Sequence, residues 1–238
     1  MVVGKEWICP ITGMKFVWIP SGEFLMGSPG GEEERSGNEG PQHQVKLDGF
    51  WMGKFSVTQG EYEQVMGKNP SKFKGVRNPV ENVSWDDAQE FIEKLNVDER
   101  GDGGYQMPTE AQWEYACRAG SKGRWCFGDD EKLLKEYAWY AGNSGGKTHP
   151  VGEKKPNEIG LHDMHGNVWE WVSDWYDENF YANSPKDNPQ GPSSGSARVN
   201  RGGSWGIGPA GVRSAVRAGD DPDICNAFLG FRLSRTCP

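Results

Sequence analysis

Hydrophobic and polar positions change period several times along the chain, and each change marks an element. Residues 14–28, Met-Lys-Phe-Val-Trp-Ile-Pro-Ser-Gly-Glu-Phe-Leu-Met-Gly-Ser, predict two short strands around a Pro20–Gly22 turn. An acidic, glycine-rich loop follows at 29–41, and Val45, Leu47, Phe50, Trp51 and Met52 resume strand character up to Phe55. Three helix starts come next: Thr58 with Glu61, Ser84 with Asp87, and Thr109 with Gln112. In each pair the cap hydroxyl can take the N3 amide while the N3 side chain returns to the cap amide, Asp87 being the short version. The second helix places Ala88, Phe91, Ile92 and Leu95 on one stripe, at i, i+3, i+4 and i+7. The third buries Trp113, Ala116 and Cys117 and stops at Gly120, a C′ residue. All three read as scaffold helices without chemistry.

The periodicity fails near the C-terminus. Arg198-Val-Asn-Arg-Gly-Gly-Ser-Trp205 is broken by glycines 202 and 203, which predicts a bulge or a close backbone approach. Leu229, Phe231 and Leu233 alternate as a strand. The 23 residues between these anchors, Gly206 to Phe228, follow neither period. Lys, Glu, Gln, Met and Trp supply 61 of the 238 residues and none of those 23, where uniform composition would put about six. A long aperiodic loop between firm anchors reads as functional.

Composition narrows the picture. With 34 glycines, 15 prolines and 11 tryptophans, the chain is rich in turns and held by aromatic clusters, and no linker marks a boundary, so one domain is expected over 1–238. A net charge of −8 and the lack of a basic run argue against nucleic acid. No apolar run has membrane-spanning length, and the N-terminus lacks a signal peptide's apolar core. The expected location is cytoplasmic by default, or the cell surface if an export signal was removed. The cysteines, at 9, 117, 126, 225 and 237, are odd in number, without Cys-x-x-Cys spacing, and read as mostly free thiols.

Four segments together resemble the formylglycine-generating enzyme (sulfatase-modifying factor) family: 16–27, Met107-Pro-Thr-Glu-Ala-Gln-Trp-Glu-Tyr-Ala, Gly160-Leu-His-Asp-Met-His-Gly-Asn-Val-Trp-Glu-Trp, and Arg201-Gly-Gly-Ser-Trp with the later Gly-Phe-Arg. They run in family order over nearly the whole chain. The resemblance implies an α+β fold of the C-type-lectin-like type, with much irregular structure. Function does not travel with fold. The two cysteines of the family's copper- and oxygen-dependent enzymes fall at Ile207 and Val212, which can bind no metal and form no mixed disulfide. Catalysis and copper are therefore not expected here.

The ending resembles, more narrowly, the variable proteins of diversity-generating retroelements, which display a hypervariable C-terminal surface on this fold. Their templates carry Asn codons. Adenine-directed mutation of such a codon reaches Gly, Ala, Val, Ile, Asp, Phe and Cys but never Lys, Glu, Gln, Met or Trp, the five types missing from 206–228. The resemblance implies twelve ligand-contact positions: Gly206, Ile207, Gly208, Gly211, Val216, Ala218, Gly219, Asp220, Ile224, Cys225, Ala227 and Phe228. The expectation is a non-catalytic, monomeric protein that binds an unknown protein or cell-surface ligand, with Ile207, Ile224 and Phe228 as hot spots unless they serve as core. The alternative is an enzyme or maturation factor of the formylglycine-generating class with altered chemistry.

Other motifs weigh less. Gly206-Ile-Gly-Pro-Ala-Gly211 matches a dinucleotide fingerprint only formally, since no helical stripe follows it. The resemblance implies one calcium ion held by Asp163, Glu170 and the carbonyls of Gly166 and Val168. Hard oxygen donors in a tight turn favour that over a plain Asx turn with Glu170 merely paired. His162 and His165 lack partner ligands for zinc and read as surface residues. Arg201, Arg213, Arg217 and Arg232 read as structural donors to carbonyls and carboxylates.

Overall fold

The computed structural model describes residues 5–98 and 104–236, so Cys237 lies outside the described residues. The two strands predicted within 14–28 form as β2 (Lys15–Ile19) and β3 (Gly22–Met26), but the turn between them closes no hairpin. β2 enters a five-stranded antiparallel sheet with β1 (Glu6–Ile8), β5 (Phe50–Gly53), β11 (Ser234–Arg235) and β6 (Tyr105–Gln106), in the order β1-β2-β5-β11-β6. β3 pairs with β4 (His43–Leu47) in a separate ribbon. The burial patterns explain the parting. β2 is covered on both faces: Phe16 and Trp18 enter one core cluster, Val17 and Ile19 another, so its apolar run is continuous. β3 alternates toward solvent, as a two-stranded ribbon should.

All three predicted caps form. Thr58, Ser84 and Thr109 open α1 (Gln59–Met66), α2 (Trp85–Val97) and α3 (Glu110–Arg118), each with a complete reciprocal box, and Asp87 reaches the Ser84 amide at 3.1 Å despite its short side chain. Ala119 (φ 48°) and Gly120 (φ 91°) turn the chain out of α3. α1 and α2 pack on one face of the large sheet, with Tyr62, Phe91, Ile92 and Leu95 against Phe16, Trp51 and Leu233. Trp113 and Ala116 of α3 share the other cluster with Val17, Ile19 and Met52.

A second sheet runs β10 (Leu229–Phe231), β7 (Trp169–Trp175), β8 (Arg198–Arg201) and β9 (Arg217–Asp220), with β10 parallel to β7 and the other pairs antiparallel. β9, together with a 3-10 turn at Pro209–Val212, corrects the expectation that 206–228 holds no regular structure. Arg-Ala-Gly-Asp has no intrinsic strand preference, and its register comes from β8 on one side. The segment from Leu229 to Arg235 serves both sheets, since β10 lies beside β7 and β11 beside β5. Gly202 (φ 95°) and Gly203 (φ 72°) make the expected close approach: a Cβ at 203 would stand 2.5 Å from the Gly211 carbonyl oxygen.

Candidate functional site

Beneath 206–228 lies a set of buried arginines. Arg217 forks onto Glu110, Nε to Oε1 at 2.7 Å and Nη2 to Oε2 at 2.8 Å, and its other nitrogen donates to the Asp177 carbonyl at 2.9 Å. Arg201 donates to Glu114 and to the Val216 carbonyl, and stands 3.5 Å from Glu110. Arg118 bonds Glu114 at 2.8 Å. Burial by itself would raise the Glu110 carboxyl, but Arg217 and Arg201 outweigh it and hold the pKa below the usual carboxylate value. Arg213 grips both oxygens of Glu39, at 2.7 and 2.9 Å, and reaches Glu32. Planar, doubly bonded guanidinium groups of this kind fix geometry in a way lysine would not.

Two of these acidic partners carry a signal in the sequence that the capping pattern alone does not use. Glu110 and Glu114 fall three residues before Trp113 and Cys117, on the stripe already assigned to the core, and both are buried. Asp174 sits against the same cluster, accepting the Glu110 amide at 2.8 Å and the Ser173 hydroxyl at 3.0 Å. Burial, then the Glu110 charge, push its pKa up to about 7. A folded-state pKa raised above the unfolded value gives stability that is complete below about pH 4 and lost as pH rises through 7. Asp174→Asn should remove that decline. Thermal melts are expected to show the variant gaining on wild type by on the order of 2 kcal/mol between pH 4.5 and 8, and a constant difference would contradict the assignment.

Above this frame, every one of the twelve candidate positions reaches solvent at least in part. Gly206, Gly208, Ile224, Cys225 and Phe228 are exposed, while Ile207, Gly211, Val216, Ala218, Gly219, Asp220 and Ala227 are half-buried. The fully buried residues of the stretch are Val212, Arg213, Ser214, Ala215 and Arg217, none of them among the twelve. The frame holds the stretch by its backbone. Carbonyls of Ile207, Val216, Ala227 and Phe228 accept from the Ala141 amide, Arg201, the Trp205 indole and the Trp169 amide, respectively. Ile224 and Phe228 are 41 % and 36 % exposed, and Phe228 stacks on Trp205 at 4.4 Å. Ile207 packs against the small buried cluster of Trp125, Leu134, Ala138 and Val212.

The glycines of the set differ in the room they have. A Cβ at Gly208 would meet nothing within 4 Å, one at Gly206 would meet only the far edge of Phe228, and one at Gly211 would meet a methyl of Ile207. Gly211 and Gly219 have the least room: a Cβ would lie 2.1 Å from that methyl at 211, and 2.4 Å from the Tyr176 ring carbon next to its own Cβ at 219. Asp220 accepts from buried Asn200 at 2.8 Å. A groove of about 510 Å³ opens elsewhere, between β3 and the end of α3, lined by residues such as Phe24, Leu25, Tyr115 and Ile159 and by none from 206–228.

The four oxygen donors implied for calcium fare unequally. Asp163, buried at φ 58°, accepts the Gly152 amide through Oδ2 at 2.8 Å, and its Oδ1 has no hydrogen-bond partner. Burial pushes its pKa up to about 6, with Glu170 close enough to add to the rise. Glu170 is committed elsewhere: its oxygens accept from Arg232 twice at 2.8 Å, from Trp113 at 2.7 Å and from Ser56 at 2.6 Å. Gly166 and Val168 are buried in the same turn. Asp163 therefore fits a hard cation, whereas Glu170 is already neutralised by Arg232, and among the described residues no three His, Cys, Asp or Glu converge on a metal position.

His165 corrects the surface reading: it is buried, its Nδ1 on the Val212 carbonyl at 2.8 Å and its Nε2 facing the Cys126 amide at 3.1 Å. Burial pushes its pKa down to about 4, so the ring is neutral and Nδ1 carries the proton it donates. His162 is half-buried against Phe55. Cys117 lies 3.8 Å from His165, and burial pushes its thiol up to about 12; Cys126 moves the same way. Cys9, Cys117, Cys126 and Cys225 are free. Val212 meets Cys117 and Cys126 only through His165, and burial keeps both thiols protonated and unreactive. No helix among the described residues is long and apolar enough to cross a membrane.

Comparison with known proteins places this geometry. The model of the sulfatase-modifying factor enzyme 1-like domain matches residues 9–237. The formylglycine-generating enzyme of Streptomyces coelicolor is 30 % identical over 286 aligned positions, covering 92 % of this chain and 88 % of that protein. Two solved structures superpose over their whole length and over all of this chain: Treponema denticola variable protein 1, with TM-score 0.86 and 31 % identity, and PvdO from Pseudomonas aeruginosa, with TM-score 0.90 and 30 % identity.

Proposed function

The chain belongs to the sulfatase-modifying factor enzyme 1-like family, and from that premise we propose that it is a non-catalytic binding protein whose contact surface is the solvent-facing side of 206–228. One observation carries the reading: the twelve positions implied as interchangeable all reach solvent, and the five buried residues interleaved with them lie outside the set. A surface that must change without unfolding its carrier needs that division. The likeness to Treponema denticola variable protein 1, over the whole of both chains, supports it. The ligand is a protein or cell-surface molecule, met by a shallow face with Ile224 and Phe228 as its apolar centre.

Amplicon sequencing of the coding region from a natural population tests this directly. Substitutions should fall on the twelve codons, at the bases that are adenine in the template copy, leaving Val212–Ala215 and Arg217 unchanged; substitutions spread evenly across the stretch would refute it. The relatives that generate formylglycine keep a competing reading in view, but Ile207 and Val212 offer no thiolate. With a cysteine-containing sulfatase peptide, copper and oxygen, no turnover is expected, and oxygen uptake at an enzymatic rate would overturn the proposal. Calcium, where bound, would serve the frame by capping the unpartnered Asp163 oxygen. A rise in melting temperature on adding calcium, lost in Asp163→Ala, is the expected sign.

A further inference from the structure

β3 is an edge strand with one side bare, and the bare side looks into the groove that lies away from 206–228. Its ladder with β4 fixes which groups point outward. Lys46 turns both backbone groups away from β3, its amide donating to the Lys186 carbonyl and its carbonyl accepting the Asn188 amide, each at 2.8 Å. Lys46 and its partner Glu23 are therefore a non-hydrogen-bonded pair, and so, two residues on, are Gln44 and Leu25. The amides and carbonyls of Glu23 and Leu25 thus point out of the ladder on the side opposite β4, and among the described residues no group pairs with them.

Just past the strand, α3 shows what this edge needs. At Gly27, Glu114 accepts the amide at 2.9 Å and Arg118 donates to the carbonyl at 3.0 Å, so helix side chains stand in for a neighbouring strand. At Glu23 and Leu25 the groove opens instead, with Phe24 against Tyr115 at 5.2 Å and with Ile19, Pro20 and Ile159 among its apolar walls. The Leu25 side chain is 50 % exposed. Of the charged side chains lining the groove, Glu23 pairs with Lys186 and Arg118 with Glu114. Lys122 is exposed, and among the described residues no hydrogen bond or ion pair engages it.

We propose that this edge takes an extended segment of a partner protein, which adds to β3 as a further strand and lays an apolar side chain in the groove. Donors and acceptors repeating at strand spacing are matched by another backbone, and an unpaired edge is a ready template for one. The backbone sets the pairing, the apolar walls select alternate side chains, and Lys122 favours an acidic residue at the α3 end of the segment. The site is built from residues outside the exchangeable set.

The probe is a random-peptide library displayed on phage and selected on the immobilised full chain. Only peptides whose binding survives Ile224→Ala with Phe228→Ala are kept, which removes those of the other face. Retained peptides should be apolar at alternate positions and carry an Asp or Glu. Amide hydrogen exchange on the unaltered chain should show Glu23 and Leu25 exchanging fast and Phe24 and Met26 slowly, with the peptide protecting the first two. N-methylation of every second peptide amide should abolish binding in one register and spare it in the other. Leu25→Pro deletes an outward N–H without removing a bond to β4, a change that edge strands tolerate. It should weaken binding at least about tenfold, beyond the loss in Leu25→Ala, with the fold checked by circular dichroism. Peptides that leave the Glu23 and Leu25 amides exchanging, or that bind equally well in both methylated registers, would overturn the inference, as would an empty selection. None of these results bears on the binding face of 206–228, which the amplicon test decides separately.

Discussion

Arg217→Ala should be among the most damaging single changes in the protein, although Arg217 lies in the stretch proposed to tolerate variation. Its guanidinium is fully buried and forks onto an equally buried Glu110. Removing it leaves a carboxylate, held ionised mainly by this partner, without charge compensation inside the core. Breaking such a pair costs about 3–5 kcal/mol, which for a chain of this size lowers the melting temperature by roughly 10 °C. Asp174 sharpens the effect, because it already opposes the Glu110 charge. The double variant Arg217→Met with Glu110→Gln removes both charges together and should lose less than the sum of the two single changes. Calorimetry of the four proteins checks this; additivity would mean that the pair is not coupled.

Gly203→Ala is expected to rival it, for a reason of backbone geometry. At φ 72° the residue is left-handed, and its Cβ would lie 2.5 Å from the Gly211 oxygen and 2.6 Å from a Val212 methyl. Left-handed backbone costs an L-residue about 1–2 kcal/mol before any clash. The clash here is with backbone and a fully buried side chain, so a total of about 3 kcal/mol or more is expected. Gly208→Ala, five residues along, provides the contrast. Gly208 has an ordinary extended backbone and open space around its Cβ, so that change should stay within about 0.5 kcal/mol. Equal costs at the two positions would mean that the frame does not end where the buried residues end.

What the sequence reveals about this protein follows the range of the forces involved. Thr58, Ser84 and Thr109 announce their helices because a cap and its partner are three residues apart. The α2 stripe is legible for the same reason. The hairpin expected around Pro20–Gly22 fails because strand partners are chosen by burial on both faces of β2, which no local pattern states. β9 is invisible because its strand character comes from β8 and from Arg217, whose carboxylate partner is 107 residues away. His165 misleads in the same way: its polarity suggests a surface, but a distant carbonyl at Val212 and an amide at Cys126 satisfy both ring nitrogens in the interior.

The candidate face is the opposite case. The loss of periodicity between two anchors bounds 206–228, and composition singles it out, since five residue types common elsewhere in the chain are missing there. The pattern of burial within the stretch follows from where the arginines anchor it. Gly211 and Gly219 mark a limit, because a methyl of Ile207 and the ring of Tyr176 occupy the space a side chain would need; Ile207 can change along with Gly211, whereas Tyr176 lies outside the set.

The most direct measurement compares two libraries of the full chain, one randomised at the twelve outward positions and the other at Val212, Arg213, Ser214, Ala215 and Arg217, each sorted for protease resistance and deep-sequenced. Most members of the first should survive, with Gly219 the poorest site, and almost none of the second. Similar survival in both would contradict the claim that a buried, arginine-pinned frame carries an exchangeable surface.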